Sequence, residues 1–85
     1  MPYIKQEDRN KLQDYAYMIQ SCPLSNAGEL NYIITLILHK YEDYKGTSYQ
    51  HYNDMLGALE GAKLEVYRRR VGPYEDMKVK ENGDV

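Results

Sequence analysis

The run from Thr47 to Val71, TSYQHYNDMLGALEGAKLEVYRRRV, is the longest in the chain with helical spacing, and it contains no proline. On a wheel of about 100° per residue, Tyr52, Met55, Leu56, Leu59, Val66 and Tyr67 share one broad arc. Gln50, Asp54, Gly61, Glu65 and Arg68 occupy the opposite side. This ordering predicts an amphipathic helix. Thr47 and Gln50 have capping-box spacing for its start, with the hydroxyl accepting from the third backbone N–H and the amide reaching back.

Three features interrupt the pattern. Lys63 and Arg70 lie one heptad apart inside the apolar arc, in line with Tyr52. Asn53 and Glu60 repeat the same spacing at its edge, beside Tyr67. Gly57 and Gly61 lie four apart, next to Ala58 and Ala62. A glycine inside a helix costs roughly 0.5–1 kcal/mol relative to alanine, so two of them predict a close approach to the backbone. The plain explanation is that Lys and Arg stems cover apolar surface while their charges stay in water, and that the small residues mark tight helix–helix contact. The sharper one is a polar pocket at a helix–helix or subunit seam. There Lys63 and Arg70 supply positive charge, Tyr52 and Tyr67 ring faces, and Asn53 and Glu60 hydrogen bonds.

The rest of the chain reads as three further helices. Gln6–Ser21 carries a narrow stripe of Leu12, Tyr15, Ala16 and Ile19, opens with Glu7 and Asp8 where the helix dipole favours negative charge, and stops at Pro23. Met1–Lys5 is a short lead whose Tyr3 and Ile4 are expected to dock on the core. Ser25 or Asn26 can cap a helix over Ala27–Tyr44, with Asn26 and Glu29 at box spacing. Its main stripe is Leu30, Ile33, Ile34, Ile37, Tyr41 and Tyr44, with Tyr32, Leu36 and Leu38 off that stripe. A helix apolar on more than one side must be covered on more than one side. Gly46 suits a left-handed cap. Gly72-Pro73 predicts a kink or break, followed by a short helix from Pro73 to about residue 81, because proline removes a donor and clashes with the preceding turn. The expected fold is therefore all-α: one domain over residues 1–85, a small three-helix arrangement of a helical hairpin plus an N-terminal helix, with a kinked or broken C-terminal helix. The helices fall at about 6–21, 27–44, 47–71 and 73–81.

Eighty-five residues leave a marginal core unless something supplements it. Cys22 is the only cysteine, so no internal disulfide forms, and Cys22, His39 and His51 have no metal-ligand spacing. Association of copies is the remaining common supplement. Ten tyrosines with no Phe and no Trp point the same way, since a ring with a polar tip suits an interface or a ligand site better than a dry interior. A net charge of −2 argues against a general nucleic-acid surface. No segment is apolar for long enough to span a bilayer, and no signal-peptide pattern is present, so a cytoplasmic location is expected.

No nucleophile–base arrangement or Gly-rich phosphate loop is present, and the chain is read as a non-enzyme without cofactor or metal. Glu75-Asp76 is a favourable helix start rather than an acid–base pair. Arg68-Arg69-Arg70 is the only basic cluster. Near a helix C-terminus the dipole stabilises such cations, and arginine beside tyrosine also suits phosphate with a stacked ring.

The segments MPYIKQEDR at Met1–Arg9, GELNYIIT at Gly28–Thr35, YNDMLGALEGAKLEVYRR at Tyr52–Arg69, and PYED with ENGDV in the tail resemble a small family of uncharacterised helical proteins, a domain of unknown function found in bacteria, archaea and bacteriophages. The resemblance runs the length of the chain and implies no particular activity. Arg70 and Gly72 depart from the family's pattern, so Arg70 is left out of the candidate site. In format alone the chain also looks like phage sponges that sequester nucleotide immune signals in pockets between subunits, a likeness by analogy. The expected function is thus a homo-oligomer binding a small anionic, nucleotide-derived ligand at Tyr52, Asn53, Glu60, Lys63, Tyr67, Arg68 and Arg69, as an anti-defence protein of this type. The alternative is a protein-interaction or structural module. A nucleic-acid accessory role ranks third.

Overall fold

A computed structural model describes residues 2–85; Met1, the first residue of the expected lead, lies outside them. Among the described residues the chain is helical and turn, without a strand. The first expected helix is two pieces, α1 (Gln6–Lys11) and α2 (Gln13–Ser21). Between them Leu12 adopts φ −102°, ψ 12°, and its N–H reaches back only to the Arg9 carbonyl, at 3.0 Å. That tightened turn has no signature in the residue pattern. Ahead of α1, the Arg9 guanidinium donates to the Ile4 carbonyl at 3.0 Å. Tyr3 and Ile4 nevertheless stay exposed, because there is no core for them to dock on.

α3 (Ala27–Lys45) begins as the spacing predicts: the Asn26 side chain accepts from the Glu29 N–H at 2.9 Å. The return arm of the box lands one residue early, with the Ser25 N–H donating to Glu29 Oε1 at 2.7 Å. α3 ends at Gly46, whose N–H bonds the Glu42 carbonyl at 2.7 Å. Gly46 sits at φ 93°, ψ 161°, an extended positive-φ region open essentially to glycine alone. α4 (Tyr49–Val66) is capped by Ser48, not Thr47. The Ser48 hydroxyl accepts from the His51 N–H at 3.1 Å, while the Thr47 hydroxyl is turned back to Glu42. Both residues have the required hydroxyl, and the tight turn at Gly46 decides which one reaches the helix end.

Of the kink or break expected at Gly72-Pro73, the break is absent. The backbone stays helical from α4 through a π-helical segment, Tyr67–Val71, into α5 (Gly72–Asn82). Val71 and Gly72 keep right-handed helical angles, and the Gly72 N–H bonds the carbonyl of Tyr67, five residues back. A proline ring collides with the carbonyl four residues before it. Widening the turn ahead of Pro73 is an alternative to breaking the helix, and such π-turns are the usual form of the irregularity. α5 then runs to Asn82 and stops at Gly83, φ 87°, whose N–H bonds the Val79 carbonyl at 2.8 Å.

The chain divides into two compact units, Tyr3–Met55 and a second made chiefly of Leu56–Val85, each described by itself. The decisive feature of both is burial: no described residue is buried. In Tyr3–Met55, Ile33, Ile34 and Leu38 are half-buried, while Leu30, Tyr32, Leu36 and Ile37 are exposed. The expected distinction between a covered main stripe and an uncovered off-stripe set is therefore not realised. Instead the stripes of α2 and α3 face a shared open groove of about 640 Å³, with Leu12, Tyr15 and Ile19 on one wall and Ile37, Tyr41 and Tyr44 on the other.

Candidate functional site

In Tyr3–Met55 the polar side chains gather at the α3–α4 turn. Glu42 Oε2 accepts from the Tyr52 hydroxyl at 2.5 Å and from the Thr47 hydroxyl at 2.9 Å. His51 Nδ1 lies 2.7 Å from the Gly46 carbonyl, which places the proton on that nitrogen, and the His51 ring meets Tyr41 edge-on at 6.4 Å. Helix geometry explains the cluster. Glu42 occupies the last turn of α3 and Tyr52 the first turn of α4, so a sharp turn at Gly46 brings them together. Hydrogen bonds from Tyr52 first and Thr47 second hold the Glu42 carboxyl below its usual range. The same carboxylate pushes the Tyr52 phenol upward. Asn53, next along the helix, is exposed and has no side-chain partner.

In Leu56–Val85 the remaining candidates also meet carboxylates. Lys63 Nζ stands 3.6 Å from Glu60, with both side chains more than half exposed. Glu65 Oε1 takes the Arg69 Nε at 2.7 Å and an Arg68 terminal nitrogen at 3.2 Å. The Tyr67 hydroxyl donates to Glu75 Oε1 at 2.6 Å, and that carboxylate raises the Tyr67 phenol. The wide π-turn spreads Arg68, Arg69 and Arg70 around the helix; Glu65, one turn earlier, collects the first two.

Of the seven sequence-chosen residues, Glu60 and Lys63 pair with each other. Tyr52, Tyr67, Arg68 and Arg69 each turn to an acidic residue outside the set. Both shifted phenols move up and the shifted carboxyl moves down. Both directions lead away from neutral pH, the opposite of what a general acid or base at pH 7 needs. Among the described residues no group of three His, Cys, Asp or Glu is placed to hold a metal ion, and no helix is long and apolar enough to cross a membrane.

A family model described as "Domain of unknown function (DUF6899)" matches residues 1–85. The chain belongs to this family. No curated protein and no solved structure matches it. Within this DUF6899 chain the residues that reading by type passes over are the acceptors: Glu42, Glu65 and Glu75. Glu65 was legible, because it precedes Arg69 by the four residues that favour a helical ion pair. Glu42 and Glu75 lie ten and eight residues from their tyrosines. Those separations acquire meaning only once the turn at Gly46 and the π-turn before Pro73 are known.

Proposed function

We propose that this chain is a non-enzymatic helical protein that works as a homo-oligomer in the cytosol, an interaction module built from copies of itself. The absence of any buried residue among those described carries this reading. Burial of apolar surface is the main favourable contribution to folding, and a chain with its large aliphatic and aromatic side chains this open has left that contribution unmade. A neighbouring subunit supplies it. The direction of the tyrosine and carboxyl shifts supports a role without acid–base chemistry. The test is native mass spectrometry combined with sedimentation over a dilution series. A defined oligomer that loses helicity as it dissociates is the expected result; a well-folded monomer at all concentrations ends the proposal.

A second reading keeps the likeness in format alone to nucleotide sponges, an analogy that is separate from the family. Lys63, Tyr67, Arg68 and Arg69 fall within two helical turns, and their ion pairs with Glu60 and Glu65 are at the surface. Exposed pairs of this kind are worth only about 0–1 kcal/mol, so a multivalent phosphate ligand can displace the carboxylates, with Tyr67 offering a ring face and Glu60 a polar contact. Calorimetry with cyclic dinucleotides and cyclic ADP-ribose-type molecules decides it, and no heat at micromolar concentration removes it.

A further inference from the structure

The chain has five asparagines, and the structure sets one of them apart. Asn10 accepts from the Gln6 amide at 3.0 Å, Asn26 from the Glu29 N–H at 2.9 Å, and Asn31 Oδ1 from the Thr35 hydroxyl at 3.1 Å. Asn53 has no such partner but lies inside α4. All four are followed by a residue with a side chain: Lys11, Ala27, Tyr32 and Asp54. Asn82 differs on every count. It is the last residue of α5, it is exposed, its side-chain amide has no partner among the described residues, and Gly83 follows it.

An asparagine amide is open to attack by the main-chain nitrogen of the next residue, which closes a five-membered imide. A side chain on that next residue crowds the nitrogen, and glycine has none. Beyond its chain neighbours, an added Cβ at Gly83 would meet nothing within 4 Å, so the space around it is open. One bond opposes closure: the Gly83 N–H is held by the Val79 carbonyl at 2.8 Å. Helical backbone also turns that nitrogen away from the Asn82 side chain, whereas the ring needs it nearly eclipsed with Cβ about the Cα–C bond. The last turn of α5 must therefore open before the ring closes. Helix ends open at far lower cost than the interiors that hold Asn31 and Asn53.

We propose that Asn82 is a site of spontaneous deamidation, timed by release of the Gly83–Val79 cap bond. The Gly83 nitrogen loses its proton and attacks Asn82 Cγ. The N–Cγ bond forms, the Cγ–Nδ2 bond breaks, and ammonia leaves. Water then opens the imide. Opening at Cγ gives aspartate, and opening at the main-chain carbonyl gives isoaspartate; nothing is oxidised or reduced. Each event adds one negative charge to a chain of net charge −2. That charge falls at a helix C-terminus, where the dipole disfavours it. In the isoaspartate form an extra methylene enters the main chain ahead of Gly83 and displaces the capping N–H from the Val79 carbonyl. The modified chain thus has a frayed, more acidic end to α5. The proposal is independent of the homo-oligomeric reading.

The experiment incubates the full-length chain in heavy-oxygen water at mildly alkaline pH and follows label uptake by peptide mapping. A blocked peptide of the Lys78–Val85 sequence is run beside it. Asn82 is expected to take up label at least about tenfold faster than any other asparagine, because only its helix end opens readily. It should still react roughly two- to tenfold more slowly than in the peptide, as a weakly protected terminal turn does. The product should contain isoaspartate, which only the imide yields, and uptake at this position should vanish in Asn82→Gln. Another asparagine reacting first, or a product that is aspartate alone, overturns the assignment of Asn82. Uptake at Asn82 as fast in the chain as in the peptide overturns the cap bond as its timer.

Discussion

The two junctions of α3 are built in opposite ways. At its C-terminal end the turn to α4 is closed by polar groups: Glu42 gathers Tyr52 and Thr47, His51 returns to the Gly46 carbonyl, and Ser48 caps the next helix. Along its flank the meeting with α2 is apolar and stays open, with every lining residue exposed. Directional bonds over short separations are completed within one chain, whereas non-directional burial is left over. The difference teaches that helix ends and turns in this molecule are specified locally, while its apolar stripes are left uncovered among the described residues.

The sharpest way to break the comparison is at Gly46. Its positive φ with extended ψ admits little but glycine, so Gly46→Ala is expected to cost of order 1–3 kcal/mol, read as a lowered denaturant midpoint. An unchanged midpoint would mean that the turn is not the fixed point it looks to be. Next is Ser48→Ala, which removes the cap of α4 and should cost about 1 kcal/mol; Thr47→Ala, expected from residue pattern to be the capping loss, should leave the helix start intact. The double substitution separates the cap from the Thr47–Glu42 bond.

Gly57 sharpens the other half. An added Cβ there meets nothing within 4 Å beyond the backbone of its own helix. Within one chain Gly57→Ala therefore stabilises α4 by about 0.5–1 kcal/mol. If copies pack closely at that point, the same substitution instead weakens the oligomer, so helicity and dissociation measured together show which surface Gly57 belongs to.

The smallest effect expected is pH dependence at the polar junction. Glu42 is held below its ordinary 4.5, so its contribution is complete above that value and fades as pH falls through the lowered one. Tyr52 is held above its ordinary 10.0, so its contribution is complete below that value and fades as pH rises through the raised one. Tyr52→Phe should flatten both limbs of a pH–helicity curve and bring Glu42 back toward ordinary titration. A variant with both limbs unchanged would show that the Tyr52–Glu42 bond is not maintained in solution.

The helices and their class were legible in the residues because apolar spacing, Asn26 with Glu29, and Gly46 each act within a few positions. The split at Leu12, the choice of Ser48 over Thr47, and the survival of the helix through Pro73 were not, because each depends on backbone geometry a turn away. The candidate residues were legible by type but not by partner. Lys63 and the arginines stand out as cations on or beside an apolar arc, while Glu42 and Glu75 look like ordinary surface acids until the backbone folds them against Tyr52 and Tyr67.

The π-turn at Tyr67–Val71 has a mechanical corollary. A turn bonded five residues back takes in one more residue than its neighbours, so side chains in α5 no longer line up azimuthally with those of α4 before it. A straight ligand or helix that follows the stripe of Leu56, Leu59 and Val66 loses its alignment on passing Arg68. The proline is thereby accommodated at the expense of a continuous apolar edge along the helix.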